Sequence, residues 1–494
     1  MPGEYEWRDD EYVQSAMSFD SSRSPFLLPF LFLNAIACGS SGDQSASPAN
    51  RPDATADAEA PSTDASANRD AAADAADAAD AADAAAVPIT SSPLAAGTQF
   101  TCLLRSEKLK CFGTNGVGQT GQGNTYVQSG VPNTFPSIDL GPGRTALSVA
   151  AGTNFACAIR DDRSLVCWGG NGGGELGVGD AVLRGRSPTD MGSNLGAVPL
   201  GQKVSAITAG FLHVCALLVD GTVKCWGSND FHAVHAGATD DARGDAPGEI
   251  AALPRVELGQ PALSIVAGDA HTCALLEDHS AKCWGDNASG QVGVGHTSPV
   301  GGWAGDPAMV SVDFGPGRTA KALAAGAAHS CAILDDDTVR CWGSNGVGEL
   351  GLEDTASRGE GPGQMGSALP AVKLGTGRSA RSIAAGGGTT CAVLDNGKLK
   401  CWGSNLYGVL GHENTGTAGG AAGEMNDGLP YTELGTGRTV ARVAVSAYHA
   451  CAVLDDGSTK CWGQNLVGQL GNAGSGPLGD NPGEMGNALP PVLF

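Results

Sequence analysis

Fourteen of the fifteen cysteines in this 494-residue chain fall into seven pairs: Cys102 and Cys111, Cys157 and Cys167, Cys215 and Cys225, Cys273 and Cys283, Cys331 and Cys341, Cys391 and Cys401, and Cys451 and Cys461. The first members lie 55, 58, 58, 58, 60 and 60 residues apart. A fixed period of this size is the mark of a solenoid or a propeller. More than cysteine repeats. An aromatic residue and a glycine follow each second cysteine: Phe112, Trp168, Trp226, Trp284, Trp342, Trp402 and Trp462. An asparagine then follows at a fixed offset: Asn115, Asn171, Asn229, Asn287, Asn345, Asn405 and Asn465.

Each repeat reads as four short strands between glycine-rich turns. In the sixth they fall near 371–374, 381–385, 390–394 and 398–402. The last two form a hairpin. A three-residue loop, Asp455-Asp456-Gly457, sets Cys451 opposite Cys461 at a non-hydrogen-bonded pair, with Cα atoms roughly 4.5 Å apart. That separation suits a disulfide. The first pair is one residue closer in sequence, and a two-residue loop at Ser106-Glu107 restores the same facing of Cys102 and Cys111. Seven disulfides are therefore expected, one per repeat, each joining the two cysteines of a pair. Seven pairs of free, buried cysteines are the alternative. Zinc is disfavoured, because its sites need closely spaced pairs that converge on one point.

Composition excludes other classes. The 75 glycines are too few for collagen, and 41% hydrophobic content is too high for wholesale disorder. No apolar run is long enough for a membrane-spanning helix. A formal charge of −23 with no basic stripe argues against nucleic acid.

The first ninety residues differ from the rest. Pro25–Ala37 is a short apolar run after Arg23 that ends in small residues, as a secretory signal does. Ala35-Ile36-Ala37-Cys38-Gly39 resembles the bacterial lipoprotein box, which implies cleavage before Cys38 and lipidation of that cysteine. By the same resemblance, Gly39 favours the outer membrane of a Gram-negative bacterium, with secretion as the alternative. Residues 1–16 are acidic, the wrong charge for a signal, so the true start is expected at Met17. Residues 39–92 are rich in Ala, Asp and Ser, with ten acids against two arginines. They present no apolar face and read as a disordered, self-repelling tether. The organisation is thus leader 1–38, tether 39–92 and repeats 93–494.

The pattern Ala-Ala-Gly-x-x-His-x-Cys-Ala-x-Leu-x-Asp-Gly…Cys-Trp-Gly-x-Asn-x-x-Gly-x-Leu-Gly resembles the repeat of the regulator of chromosome condensation family. The resemblance covers residues ~91–494 in seven copies. It implies an all-β, seven-bladed β-propeller of four-stranded blades, and paired cysteines match its secreted bacterial type. The first repeat lacks a first-strand sequence before Leu94, and the chain ends in one, Leu489–Phe494. The C-terminal strand is therefore expected to pair into the first blade and close the ring, removing open edges.

Several motifs could carry chemistry. Gly-x-Gly-x-x-Gly occurs at Gly116-Gly118-Gly121, Gly172-Gly174-Gly177 and Gly346-Gly348-Gly351, but without the following helix that a dinucleotide site requires. His213, His271, His329 and His449 stand two residues before a cysteine, where other repeats have Phe100, Phe155 and Thr389. A hydrogen-bonded structural role at a strand start fits that variation better than a metal ring. In the third repeat His232 and His235 replace glycines, near Asp240 and Asp241. His-x-x-His beside aspartates is a weak candidate for a transition metal, with loop degeneration the plainer alternative. No catalytic constellation stands out and no cofactor is expected.

Long polar loops such as 353–368 and 472–488 share one phase of the repeat and suit an interaction rim. The leading expectation is a monomeric, non-catalytic, envelope-anchored module that binds a protein or glycan through those rim loops. Its contact with the membrane would be by lipid alone. The alternatives are guanine-nucleotide exchange, as in eukaryotic members of the family, and an envelope polysaccharide-acting enzyme.

Overall fold

The computed structural model describes residues 92–234, 242–301 and 305–494. Cys38, the leader, nearly all of the tether, His235, Asp240 and Asp241 lie outside the described residues.

Seven antiparallel sheets follow one another along the chain. The first is built from Leu94–Ala96, Phe100–Arg105 and Lys108–Gly113. The sixth is built from Ala380–Gly386, Thr389–Leu394 and Leu399–Gly403. In every sheet the sequence order inner, middle, outer is also the spatial order. Each inner strand packs on the inner strand of the next sheet, and Val440–Val445 of the seventh packs on Leu94–Ala96 of the first. The sheets are therefore the blades of a closed β-propeller. Small residues run down the inner strands, as in Ala384-Ala385-Gly386, because seven strands converge there on a narrow channel. The middle strands are buried along nearly their whole length, as in Thr389–Leu394. Both of their faces are covered by neighbouring blades, so they lack polar/apolar alternation.

The hairpins follow the cysteines. All seven pairs stand directly opposite each other on the middle and outer strands. Disulfides join Cys102 to Cys111 in the first blade, Cys157 to Cys167 in the second, Cys215 to Cys225 in the third and Cys273 to Cys283 in the fourth. In the fifth, sixth and seventh they join Cys331 to Cys341, Cys391 to Cys401 and Cys451 to Cys461. The paired Cα atoms are 4.0 or 4.1 Å apart. This is closer than the roughly 4.5 Å of an unlinked non-hydrogen-bonded pair. Ser106 and Glu107 both take positive φ, the requirement of a two-residue type I′ turn. The other hairpins place a left-handed residue third in the loop. Gly221, Gly397 and Gly457 occupy that position in three blades, and Arg163, His279 and Asp337 in the other three. The latter three carry a Cβ penalty of about 1–2 kcal/mol each. All fourteen cysteines are at most 2% exposed. We expect thiol titration of the denatured, unreduced chain to find no free cysteine except an unlipidated Cys38. Fourteen reactive thiols would mean that the native protein is reduced.

The fourth strands differ from expectation in phase and in completeness. The Leu-Pro-x-Val segment belongs to the blade before it. Val372 donates its backbone N–H to Val339 in the fifth blade, not the sixth, and Ile138, Val198, Val256, Val312, Thr432 and Val492 do the same in theirs. The upper end of each outer strand is covered separately by the returning long loop, as in Gly343 opposite Arg358. The prolines explain the placement. Pro370 and Pro490 have no N–H to give an interior ladder, and only the outer edge tolerates them.

The C-terminal strand consequently does not pair into the first blade. Pro491 bridges Lys460, and the Val492 N–H reaches Thr459 O at 2.7 Å, both within the seventh blade. Every blade is built from contiguous sequence. The seam between the seventh and first blades closes by packing of Leu94, Leu103 and Phe112 against Leu470 and Val492. A hydrogen bond from Asn133 N–H to Leu493 O, 2.8 Å, crosses it.

Candidate functional site

The recurrent polar residues resolve into three structural devices. Each asparagine is wholly buried. Its Oδ1 accepts a backbone N–H five residues on, as Asn345 does from Leu350 at 3.0 Å. In the six repeats where that residue is described, its Nδ2 donates to a carbonyl nine residues on, as Asn345 does to Asp354 O at 2.8 Å. One side chain thus holds two successive turns. Each tryptophan indole donates to a backbone carbonyl of the preceding blade, from Trp168 to Gln119 (3.1 Å) through to Trp462 to Val409 (2.8 Å). Phe112 cannot do so, which distinguishes the seam.

The third device is the histidine relay. The Nε2 atoms of His213, His271, His329 and His449 lie 2.7–2.8 Å from hydroxyls of the following blade: Thr272, Ser330, Thr390 and Thr101. Ser330, Thr390 and Thr101 spend their own protons on backbone carbonyls of Gln291, Glu349 and Gln469. These hydroxyls can only accept from histidine, so Nε2 carries a proton. Burial pushes the histidines down, His213 and His329 to about 4 and His271 and His449 to about 3. They are inter-blade clamps, not ligands.

Glycine in Gly-x-Gly-x-x-Gly has a packing purpose. Gly118 takes φ +88°, and a Cβ there would stand 2.6 Å from Gly185 of the next blade. The third repeat replaces this glycine with His232, at φ 62°. His232 Nδ1 meets Asp306 Oδ2 at 2.8 Å across the blade boundary. Among the described residues no group of three or more His, Cys, Asp or Glu is arranged to hold a metal.

The long loops are built elements. In Pro-Gly-x-Met-Gly the residue before Met folds back as a cap: Glu484 Oε2 accepts N–H groups from Gly479, Asp480 and Asn481. Met365 and Met485, and Met425 at the matching place in Ala422-Gly423-Glu424-Met425-Asn426, then enter the core clusters that hold the tryptophans.

The two rims differ in chemistry. The hairpin rim is charged. Arg144 pairs with Asp161 and Asp162, Arg318 with Asp335 and Asp336, Arg378 with Asp395, and Arg438 with Asp455 and Asp456. Each arginine comes from the crossing into a blade and each aspartate from that blade's hairpin, so the pairs are internal. The opposite rim is made of the asparagine turns and the turns between inner and middle strands. None of these turns contains lysine or arginine. Phe211, Phe231, Val347, Leu406 and Leu466 are exposed there, between 38% and 60%. Tyr407 and Tyr448 meet edge to face at 6.1 Å beside them. At the centre the channel opens into a cavity of about 180 Å³ lined by Phe211, Asp269, Tyr448 and glycine backbone.

Residues 147–175, 204–233, 263–291, 320–349, 380–409 and 440–469 match the Regulator of chromosome condensation (RCC1) repeat. Over 336 residues the chain is 30% identical to the Ultraviolet-B receptor UVR8 of Arabidopsis thaliana, covering 67% of this chain and 68% of that protein. The chain belongs to the regulator of chromosome condensation repeat family. The matched RCC1 repeats span the second to seventh blades; the first, with Phe112 and the shorter cysteine spacing, is not among them. Two solved structures share the fold. Human WBSCR16 aligns with a TM-score of 0.56 at 18% identity, over 72% of this chain and 85% of that one. Prp20p from Saccharomyces cerevisiae, described with its binding properties to Gsp1p and histones, aligns at 0.54 and 20% identity, over 71% and 79%.

The relay partners, the asparagine anchors and the capped methionine loops lie outside what the spacing of the sequence reveals. The signal for the apolar rim was present, in the variable positions inside the repeated turns. Phe211 and Asp269 stand where sibling repeats have Thr98, Thr153, Ala327 and Ala447.

Proposed function

We propose that this RCC1-repeat propeller is a non-catalytic protein-binding module, held at an extracytoplasmic membrane surface by lipid on Cys38 and a tether over residues 39–92. The observation that carries the binding reading is the asparagine-turn rim, whose described turns hold exposed apolar side chains and no lysine or arginine. Exposed apolar residues grouped on one face mark interaction sites. The partners named for Prp20p support a protein as the ligand class. The reading moves the interface from the long loops, whose methionines are committed to the core, to the short turns.

Attachment agrees with this choice. Ser92 enters the ring on the inner wall, its N–H 3.0 Å from Ser148 Oγ and its carbonyl 3.1 Å from Val149 N. Followed backwards from Ala96 to Ser92, the chain runs away from the asparagine-turn rim. The lipoprotein box and the buried cysteine pairs support an oxidising compartment.

The test is site-specific photo-crosslinking in the native cell. A benzophenone amino acid at Leu406 or Leu466 is expected to give a discrete protein adduct, and one at Asp456 on the hairpin rim none. Cys38→Ala is expected to abolish fatty-acid labelling. The binding reading falls if both apolar positions stay uncoupled, and the anchoring reading falls if labelling persists.

A further inference from the structure

Asp269 is anomalous for its position. It stands at the channel mouth in the turn between the inner and middle strands of the fourth blade. Its side chain receives no hydrogen bond and no ion pair among the described residues. Its neighbours offer only backbone: the Phe211 N–H is turned to the Asp269 carbonyl, at 2.9 Å, and not to the carboxylate. Solvent reaches the group, yet the surrounding wall removes enough water to push its carboxyl up from the ordinary value. Aspartates elsewhere in this protein are treated differently. On the hairpin rim Asp161, Asp335, Asp395 and Asp455 are matched by arginines, Asp337 by Lys321 and Asp220 and Asp278 by neutral donors, while Asp180 and Asp354 are matched by Arg184 and Arg358. Asp269 itself is exposed and unpaired, so a cation that reaches it gains an attraction without displacing an existing ion pair.

The surroundings of Asp269 define what would complete it. The cavity of about 180 Å³ is on the scale of the ~150 Å³ space that admits a benzene ring. Two aromatic residues, Phe211 and Tyr448, line the same mouth, and aromatic faces attract cations. Around the mouth lie the exposed Phe231, Val347, Leu406 and Leu466. The other charged or titratable residues described in these turns are Glu175 and Glu349, both buried, with Asp230, Asp286 and His232, and none is lysine or arginine. The rim is thus apolar at its periphery and anionic at its centre.

We infer that this rim docks a partner protein through an apolar segment that inserts one lysine or arginine side chain into the channel mouth, against Asp269, Phe211 and Tyr448. The inference rests on the protein-binding reading above and adds the place and the chemistry of the partner. The apolar flanks supply contact area, and the single cation selects register, since like charge at the centre would be rejected.

The test selects a random dodecapeptide phage library on the immobilised full chain and measures recovered peptides by fluorescence anisotropy. The expected consensus is one Lys or Arg between aromatic or aliphatic residues. Affinity is expected to fall at least tenfold in Asp269→Asn and below detection in Asp269→Lys. It should fall in Leu406→Ser and be unchanged in Asp456→Asn. Asp269 has no described partner, so thermal melting of its variants should match the parent. Recovered peptides without a basic residue, or indifferent to both Asp269 variants, overturn the inference. So does a library that yields nothing. A crosslinked adduct at Leu406 combined with either result would retain the binding reading and remove only this one.

Discussion

Lowering the pH from 7 towards 4 is expected to unfold the propeller well before most of its carboxylates titrate. Four histidines, His213, His271, His329 and His449, are at most 2% exposed, and burial lowers each to about 3 or 4. In the unfolded chain they titrate near 6.5. Above that pH both states are neutral and the histidines add no pH dependence. Below it the unfolded state takes up protons that the folded state refuses, so stability falls as pH falls. Each histidine contributes about 1.4 kcal/mol per pH unit between 6.5 and its folded value. Four together give a slope of roughly 5 kcal/mol per unit, against a total stability on the order of 5–15 kcal/mol for a typical domain. Glu175, Asp245, Asp269 and Asp480, whose carboxyls burial raises, act in the opposite direction, but they titrate from the ordinary carboxylate range upward and so mainly at the lower end of this window. Calorimetry at half-unit steps from pH 7 to 4 should record a steep fall in Tm. His412, which burial also lowers to about 4, adds to the same slope, so His449→Gln, whose amide can still donate to Thr101, should flatten it by about a fifth. A Tm constant from pH 7 to 4.5 would remove the assignment of these rings as neutral, buried donors.

The second large effect concerns the C-terminus. Deleting Leu489–Phe494 removes two buried side chains, Leu489 at 0% and Val492 at 4% exposure. Full burial of one such side chain is worth about 1.5–3 kcal/mol. The deletion also leaves Thr459 O without its 2.7 Å donor and uncovers the seam. A loss on the order of 5 kcal/mol is expected, with a Tm lower by about six degrees. Amide exchange then locates the damage. Protection should be lost along Thr459–Gly463 in the seventh blade, while Lys108–Gly113 in the first keeps its cover from Ile138. The reverse pattern would restore the closing strand to the first blade.

How far the sequence could be read depended on whether a feature was local. The hairpins were legible because two loop lengths, at Ser106-Glu107 and Asp455–Gly457, had to give the same cysteine facing. The phase of the fourth strand was not. A cyclic repeat has no natural beginning, and Leu369–Gly375 lies between two blades in the sequence. Only the proline chemistry and the width of the channel decide which blade takes it. The histidines were legible as hydrogen-bonded structural residues, but their partners sit 59 or more residues away. Asp269 was hidden because it is a single departure at a position that varies in every repeat.

Contiguous blades have an evolutionary consequence. A propeller whose last strand completes its first blade must preserve both ends together, since losing either breaks a sheet. Here recombination at the repeat boundary adds or removes a whole cassette of strands, disulfide, indole bond and histidine clamp, and leaves every surviving sheet intact. Only the curvature of the ring and its single unlike seam, between Phe112 and Leu470, must then readjust. Such a fold can diversify its outward turns blade by blade while the wall beneath them stays the same.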